Sequence, residues 1–132
     1  MRFCIETKPL PAPRPRFSKY GTYNKKEYTQ YKQKIAWMYK SKGGSLYDGI
    51  VNIKIDFFFM VPKSWSKKKK ECMDEYLPKA DVDNLAKAVL DALNGIAYED
   101  DRQIQSLFVR KQYSLNSNAV VIEILERKKE LT

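Results

Sequence analysis

One segment of the chain, from Asp81 to Asp101, has the residue types and spacing for metal-ion chemistry. Its 21 residues have a net charge of −5, in a protein whose overall net charge is +9. Carboxylates grouped this closely repel one another unless protons or a cation neutralise them, and carboxylate oxygens are ligands that Mg²⁺ prefers. A basic body attracts polyanions, whereas an acidic pocket needs a divalent cation before a phosphate can approach it. The segment therefore indicates a metal-dependent enzyme that acts on a polyanion. Its charged residues are Asp81, Asp83, Lys87, Asp91, Glu99, Asp100 and Asp101.

The chain contains no histidine, and its two cysteines are Cys4 and Cys72. The absence of histidine removes the commonest general base, serine–histidine–aspartate triads and cysteine–histidine pairs. The two cysteines do not have the spacing of a zinc site, and we interpret them as free thiols in a reducing compartment. If the protein is an enzyme, carboxylates, a lysine and a hard metal ion have to carry the reaction.

The spacing of the acidic segment predicts a helix from Asp83 to Asn94 that Gly95 ends. At about 100° per residue, polar and apolar residues separate onto opposite sides. The apolar side carries Leu85, Val89 and Leu93, with Ala88 and Ala92. The polar side carries Asp83, Asn84, Lys87 and Asp91. Asp81 comes just before the helix and can bend back over the same end.

This arrangement suits the hydrolysis of a phosphodiester with Mg²⁺. Two or more carboxylates have to hold the ion while water and phosphate oxygens remain among its ligands. Asp81, Asp83 and a carboxylate from Asp100 or Asp101 can supply these ligands. Lys87 can hold a phosphate or stabilise the charge that develops on it.

The same residues also fit a purely structural role. An acid at Asp83 suits the N-cap or the first turn of a helix. Asp83, Lys87 and Asp91 can form solvated ion pairs four residues apart, each stabilising a helix by about 0.2–0.5 kcal/mol. Residues 99–101 can be a polar turn before a strand. Spacing alone therefore leaves metal binding and helix stabilisation both open.

The rest of the chain predicts one α+β (mixed α/β) domain over residues 1–132, with the order β-α-β-α-α-β-β. We expect a two-layer structure in which a mixed sheet of about four strands packs against helices. We expect the last two strands to form a hairpin around Asn116–Asn118. The predicted elements, in order, are a strand Arg2–Thr7, an extended proline-rich loop Lys8–Phe17, a helix Asn24–Ser41, a strand Ile50–Val61, a basic helix Ser66–Glu75, the acidic helix, and strands Ile104–Tyr113 and Ala119–Glu126.

Clustered basic residues predict an anionic partner, most often nucleic acid. Aromatic residues could stack on unpaired bases, and no helix-turn-helix or similar base-reading element is evident. The alternative is that the lysine run is a solvated helix face and the tyrosines are mostly core. The predicted DNA-contacting residues are Arg14, Arg16, Lys63, Lys67, Lys68, Lys69, Lys70 and Lys79; the aromatic candidates are Tyr20, Tyr23, Tyr28, Tyr31 and Trp65.

No run is apolar enough to span a bilayer, and the N-terminus lacks the apolar core of a secretory signal. We therefore expect a soluble, cytoplasmic protein with no membrane partner. Nothing in the sequence indicates a small-molecule organic cofactor.

The run from Lys79 to Lys87, KADVDNLAK, continues through LDALNG at Leu90–Gly95 to DDRQI at Asp100–Ile104. This pattern closely resembles the RusA family of Holliday junction resolvases, and the proline-rich loop is similar to the family's opening. The resemblance implies a Mg²⁺-dependent homodimeric endonuclease, with Mn²⁺ as an alternative ion, that cuts four-way DNA junctions by paired symmetric nicks in recombination and repair.

The resemblance also implies roles for individual residues. Asp81, Asp83 and Asp101 match the family's catalytic, metal-binding acids, and Lys87 matches its essential lysine. The supporting positions are Asp91, Asp100 and Asn84. Lys79-Ala80 stands immediately before Asp81, so this chain has no aromatic residue there that could wedge into a junction centre.

Two other functions remain open from the sequence. One is a noncatalytic basic DNA- or RNA-binding module whose acids only cap and solvate a helix. The other is a related metal nuclease that prefers flaps or other branched DNA.

Overall fold

Four strands and three α-helices make up the part of the chain that the computed structural model describes, residues 1–13 and 25–127. The predicted order β-α-β-α-α-β-β and the α+β class are confirmed. The predicted positions of Arg14, Arg16, Tyr20, Tyr23 and the Asn24 cap lie outside the described residues. The elements are β1 (Arg2–Ile5), α1 (Lys25–Ser41), β2 (Val51–Met60), α2 (Lys67–Glu71), α3 (Val82–Leu93), β3 (Ile104–Ser114) and β4 (Ala119–Glu126).

The four strands form one mixed sheet in the order β1-β4-β2-β3. β2 pairs in parallel with β3, whereas β4 is antiparallel to both β2 and β1. β2 is the most apolar strand, and the sheet buries it in a central position between β3 and β4. A four-stranded mixed sheet was predicted and is confirmed.

The predicted hairpin between the last two strands is wrong. β3 and β4 lie on opposite sides of β2, so the chain between them crosses the end of β2. Side-chain and backbone groups fix this crossing: the Met60 N–H donates to Asn118 Oδ1 at 2.8 Å, and the Val61 N–H donates to the Ser114 carbonyl at 2.9 Å. Strands adjacent in sequence are usually but not always adjacent in a sheet. Here β3 and β4 are adjacent in sequence, but β2 lies between them in the sheet.

The core lies between one face of the sheet and the helices α1 and α3. β2 contributes Val51, Ile53, Ile55 and Phe57, and these four side chains are buried, as their alternation predicts; Phe59 is half-buried against the same core. α1 contributes four buried side chains, Tyr28, Tyr31, Ile35 and Tyr39. For Tyr28 and Tyr31 the core interpretation is therefore correct.

The opposite face of the sheet carries polar and charged side chains. Arg110 donates to Asp56 at 2.9 Å between neighbouring strands, and Lys54 lies 5.5 Å from the ring centroid of Phe108. Phe108 is 54% exposed on this face. The sheet therefore directs alternate residues of β3 toward the helices and toward solvent.

The basic helix α2 is shorter than predicted and ends in a 3₁₀ turn, Met73–Glu75. Its predicted serine cap is confirmed, because Ser66 Oγ accepts from the Lys69 N–H at 3.1 Å. Across the described part of the chain, no helix is both long and apolar enough to cross a membrane.

Candidate active site

Helix α3 directs its acidic residues away from the core. Its apolar side chains Leu85, Val89 and Leu93 are fully buried, as their spacing predicts. Lys87 and Asp91, on the other side, are exposed. Burial of the apolar stripe therefore fixes the rotation of the helix, and with it the position of the polar residues.

Asp81 occupies the N-cap position of α3, but its carboxylate does not cap the helix. Its backbone carbonyl accepts from the Leu85 N–H at 3.0 Å, as the first intrahelical bond. The structural role that the sequence allowed was for Asp83, and Asp83 does lie in the first turn of α3, although Asp81 takes the N-cap position. Asp81 and Asp83 are both exposed at the start of the helix.

The chain turns back on itself after α3 and brings a further carboxylate alongside. Gly95 has φ +79°, a left-handed conformation that glycine adopts without steric cost. Tyr98 is then fully buried, and its hydroxyl donates to the Leu90 carbonyl at 2.7 Å. Burial raises the pKa of Tyr98, and the nearby charges of Asp101 and Asp91 raise it further. Asp101 and Asp91 line the same pocket, although ten positions separate them in the chain.

Four of the predicted residues line one pocket of about 300 Å³: Asp83, Lys87, Asp91 and Asp101. Leu107 and Val109 of β3 line it from the sheet. Asp81 does not line this pocket. The structure therefore brings together two acids of α3, the lysine and Asp101, and it places Asp91, predicted as supporting, inside the group.

Asp100 and Asp101 are adjacent but have different surroundings. Asp100 Oδ1 accepts from the Arg102 N–H at 2.9 Å, and Gln103 Oε1 accepts from the Asp100 N–H at 3.0 Å. This capping box closes the 3₁₀ turn Asp101–Gln103. The Arg102 backbone N–H contributes most to lowering the pKa of Asp100 to about 2, with the Asp101 side chain and the Arg102 guanidinium adding to it.

The pKa of Asp101 is shifted in the opposite direction. Its hydrogen bond with the Asp100 side chain raises the pKa most, and desolvation and the negative charges of Asp100 and Asp91 raise it further. A group of carboxylates whose mutual repulsion raises a pKa gains from a nearby cation.

The donor set fits a divalent ion that keeps much of its water. Within residues 1–13 and 25–127, no three acidic, cysteine or histidine side chains are close enough to form a ready-made metal cage. Mg²⁺ does not need one, since it binds through one or two carboxylates with waters and substrate phosphate oxygens. Asp83, Asp91 and Asp101 around one pocket offer the carboxylate oxygens, and Lys87 offers a positive charge for phosphate.

Two hydrogen bonds to backbone carbonyls hold the chain around the start of α3. Lys111 Nζ donates to the Ala80 carbonyl at 2.7 Å, one residue before Asp81. The Ala12 N–H of the proline-rich segment donates to the Asn84 carbonyl at 2.8 Å. Sequence reasoning missed Lys111, although its alternation with Val109 on the helix-facing side of β3 could have indicated it.

The predicted DNA-contacting lysines divide into two groups. Lys63 and Lys79 line a groove of about 640 Å³ at the end of β2, together with Lys8. The four lysines from Lys67 to Lys70 belong to α2, where Lys67 and Lys68 are exposed. Lys69 Nζ lies 4.3 Å from the ring centroid of Trp65, so this lysine packs on an aromatic side chain and does not only face solvent.

These features define a small α+β domain with a basic exterior and a pocket of carboxylates beside a lysine. Comparison with known proteins gives the family. The family model described as "Endodeoxyribonuclease RusA" matches residues 6–125. The chain is also 33% identical over 127 residues to the uncharacterized protein YqaN of Bacillus subtilis strain 168, across 86% of this chain and 88% of that protein. The chain belongs to the RusA family of endodeoxyribonucleases, the Holliday junction resolvases, as its motifs predicted.

Proposed function

We propose that this protein is a Mg²⁺-dependent endonuclease that resolves four-way DNA junctions in recombination and repair. The observation that carries the proposal is the single pocket shared by Asp83, Lys87, Asp91 and Asp101. Family membership supports the reaction class, and the chain's net charge of +9 supports a polyanionic substrate.

The carboxylates would hold the ion, for which Mn²⁺ is the alternative to Mg²⁺. Asp81, Asp83 and Asp101 are the proposed ligands. Asp83 and Asp101 line the pocket, Asp81 precedes α3 outside its lining, and Asp91 supports them from within the pocket. The ion would supply a nucleophilic water and neutralise charge on the phosphate. Lys87 would bind a non-bridging phosphate oxygen and stabilise the charge that develops there.

Resolution of a junction needs two cuts on opposing strands, and one pocket makes one cut. We propose a homodimer with two-fold symmetry, in which each subunit supplies one pocket. Mixed dimers of wild-type and inactive subunits should then nick junctions without resolving them.

The test is cleavage of a four-way junction by Asp81→Asn and Asp83→Asn variants, with Mg²⁺, with Mn²⁺ and with neither. Each variant should lose cleavage and keep junction binding, because the substitution removes a carboxylate charge while the basic surface stays intact. Asp74→Asn is the matched control, since Asp74 is an exposed acid in the 3₁₀ turn after α2. Undiminished cleavage by Asp81→Asn would contradict the proposal for that residue.

A panel of four-way junction, flap and linear DNA separates the other two functions. Binding without cleavage in any metal would favour a noncatalytic nucleic-acid-binding module. Faster cleavage of flaps than of junctions would favour a related nuclease with a different branched substrate.

A further inference from the structure

A groove of about 640 Å³ lies beside the start of α3 and has no role in the chemistry proposed above. Its walls are mostly apolar: the proline-rich segment Lys8–Pro11 forms one wall, and the end of β2 from Phe59 forms another. Its cationic groups are Lys8, Lys63 and Lys79. Ligand sites are commonly apolar concave surfaces with a few polar groups that set orientation, in this size range.

The groove continues into a cluster of aromatic side chains. Tyr113, which lines the groove, lies 4.7 Å from Trp65 between ring centroids. Trp65 lies 5.3 Å from Tyr76, which is 41% exposed. Lys69 Nζ lies 4.3 Å and 4.7 Å from the ring centroids of Trp65 and Tyr76. Aromatic rings and cations therefore occur together at one edge of the groove.

One strand connects this groove with the acidic pocket. Leu107 and Val109 line the pocket, Lys111 binds the carbonyl of Ala80, and Tyr113 lines the groove. These residues alternate on the same face of β3, so Val109 and Tyr113 are about 13 Å apart along the strand. Ala80 lines the groove and Asp81 follows it directly. If a DNA strand is cut at the pocket, nucleotides only a few positions from the cut can therefore reach the groove.

We propose that this groove binds an unpaired nucleotide of the branched substrate, with its base against Tyr113 and its phosphates near Lys63 and Lys79. The combination of an apolar, aromatic wall and cationic groups matches the two parts of a nucleotide. Aromatic faces bind bases of any identity, while lysines bind backbone phosphates. The inference rests on the proposed nuclease function and adds the part of the substrate that lies outside the cleaved bond.

The test is binding of a short oligothymidylate and of a duplex of the same length, in Ca²⁺ to prevent cleavage. Tyr113→Leu should weaken binding of the single strand about 5- to 150-fold, the range for loss of one base-stacking contact, and leave duplex binding unchanged. Tyr113→Phe keeps the ring and should bind as the wild type does. Phe108→Leu is the matched control, because Phe108 is an exposed aromatic residue on the same strand and the opposite face of the sheet. Equal losses for single strand and duplex, or no loss, would overturn the proposal.

A second measurement uses the wild-type protein and does not depend on how the variants fold. A junction carrying one unpaired 5-iododeoxyuridine at the branch point is irradiated, and the crosslinked peptide is sequenced. Adducts at Tyr113 or Trp65 are expected, whereas adducts confined to α1 or to the Phe108 face would overturn the groove assignment.

Absence of cleavage in every metal, with stacking at Tyr113 retained, contradicts the nuclease alone. Normal cleavage by Tyr113→Leu, with unchanged single-strand binding, contradicts the groove alone.

Discussion

Adjacent acidic residues at the edge of the pocket have different physical tasks. Asp100 forms hydrogen bonds within its own turn: its carboxylate oxygens accept from the Arg102 backbone N–H and guanidinium. Asp101 lines the shared pocket, and its pKa is raised mainly by its hydrogen bond with the Asp100 side chain and further by desolvation and nearby negative charge. One acid therefore shapes the loop, and the other is available for chemistry.

Asp100→Ala and Asp101→Ala should separate these tasks. Asp100→Ala removes the acceptor of a capping box and should lower the melting temperature. Asp101→Ala removes a repelled carboxylate and should leave the melting temperature unchanged or higher, while junction cleavage in Mg²⁺ is lost. Thermal denaturation and cleavage are measured on both. A lower melting temperature for Asp101→Ala than for Asp100→Ala would contradict the assignment.

Lys111 acts through the backbone next to Asp81. Lys111→Met removes the donor to the Ala80 carbonyl and should lower the free energy of unfolding by about 1.5–3 kcal/mol, as for other hydrogen bonds with a charged partner. Urea denaturation measures the change. Lys42→Met is the control, since Lys42 is exposed just after the end of α1, and it should change stability by less than about 0.5 kcal/mol. Equal effects of the two substitutions would show that the contact with Ala80 contributes nothing.

At the scale of elements, the periodicity of apolar residues predicted which segments form strands and helices and which of their sides are buried. The alternation of Val51, Ile53, Ile55 and Phe57 identified β2, and the spacing of Leu85, Val89 and Leu93 identified α3 and its buried face. Both patterns depend only on residues within one element, because the apolar residues of a strand or helix determine which of its sides is buried. The order of strands depends on which strand competes best for the centre of the sheet. The local turn signal at Asn116–Asn118 therefore predicted a hairpin that the long-range pairing of β2 with β4 prevents.

The turn after α3 depends on one glycine. Gly95→Ala places a side chain at φ +79° and should lower the free energy of unfolding by about 1–2 kcal/mol, the cost of a left-handed conformation. Chemical denaturation measures it. Gly49→Ala is the control because its added Cβ would meet Glu126 Oε1 at an ordinary 3.6 Å, and it should change stability by less than about 0.5 kcal/mol. If Gly95→Ala left the free energy of unfolding unchanged, another conformation of the turn would have to bury Tyr98 equally well.

At the scale of the whole molecule, the pocket and the groove differ in how far the sequence could predict them. Asp83, Lys87 and Asp91 lie on one helix, so their spacing alone placed them on one side. Asp101 reaches the same pocket only because the chain turns at Gly95 and packs Tyr98 beneath α3. The groove lies between the proline-rich segment, the end of β2 and the end of β3. Tyr113 packs against Trp65, which is 48 positions away in the chain. No local pattern encodes a contact of that kind.

The groove lysines Lys63 and Lys79 should contribute directly to the salt dependence of DNA binding. A protein that neutralises phosphates with lysines loses affinity as salt rises, with a slope of log K against log salt of about −0.7 per phosphate contact on single-stranded DNA. The double substitution Lys63→Gln/Lys79→Gln should therefore make the slope less negative by up to about 1.4. Lys40→Gln/Lys42→Gln is the matched control, because it makes the same change in charge at the exposed end of α1, away from the groove lining. Binding of an uncleaved junction in Ca²⁺, titrated at several salt concentrations, gives both slopes. If the two double variants had the same slope, the groove lysines would contribute only to the general charge of the protein, and the junction would have to contact another part of its surface.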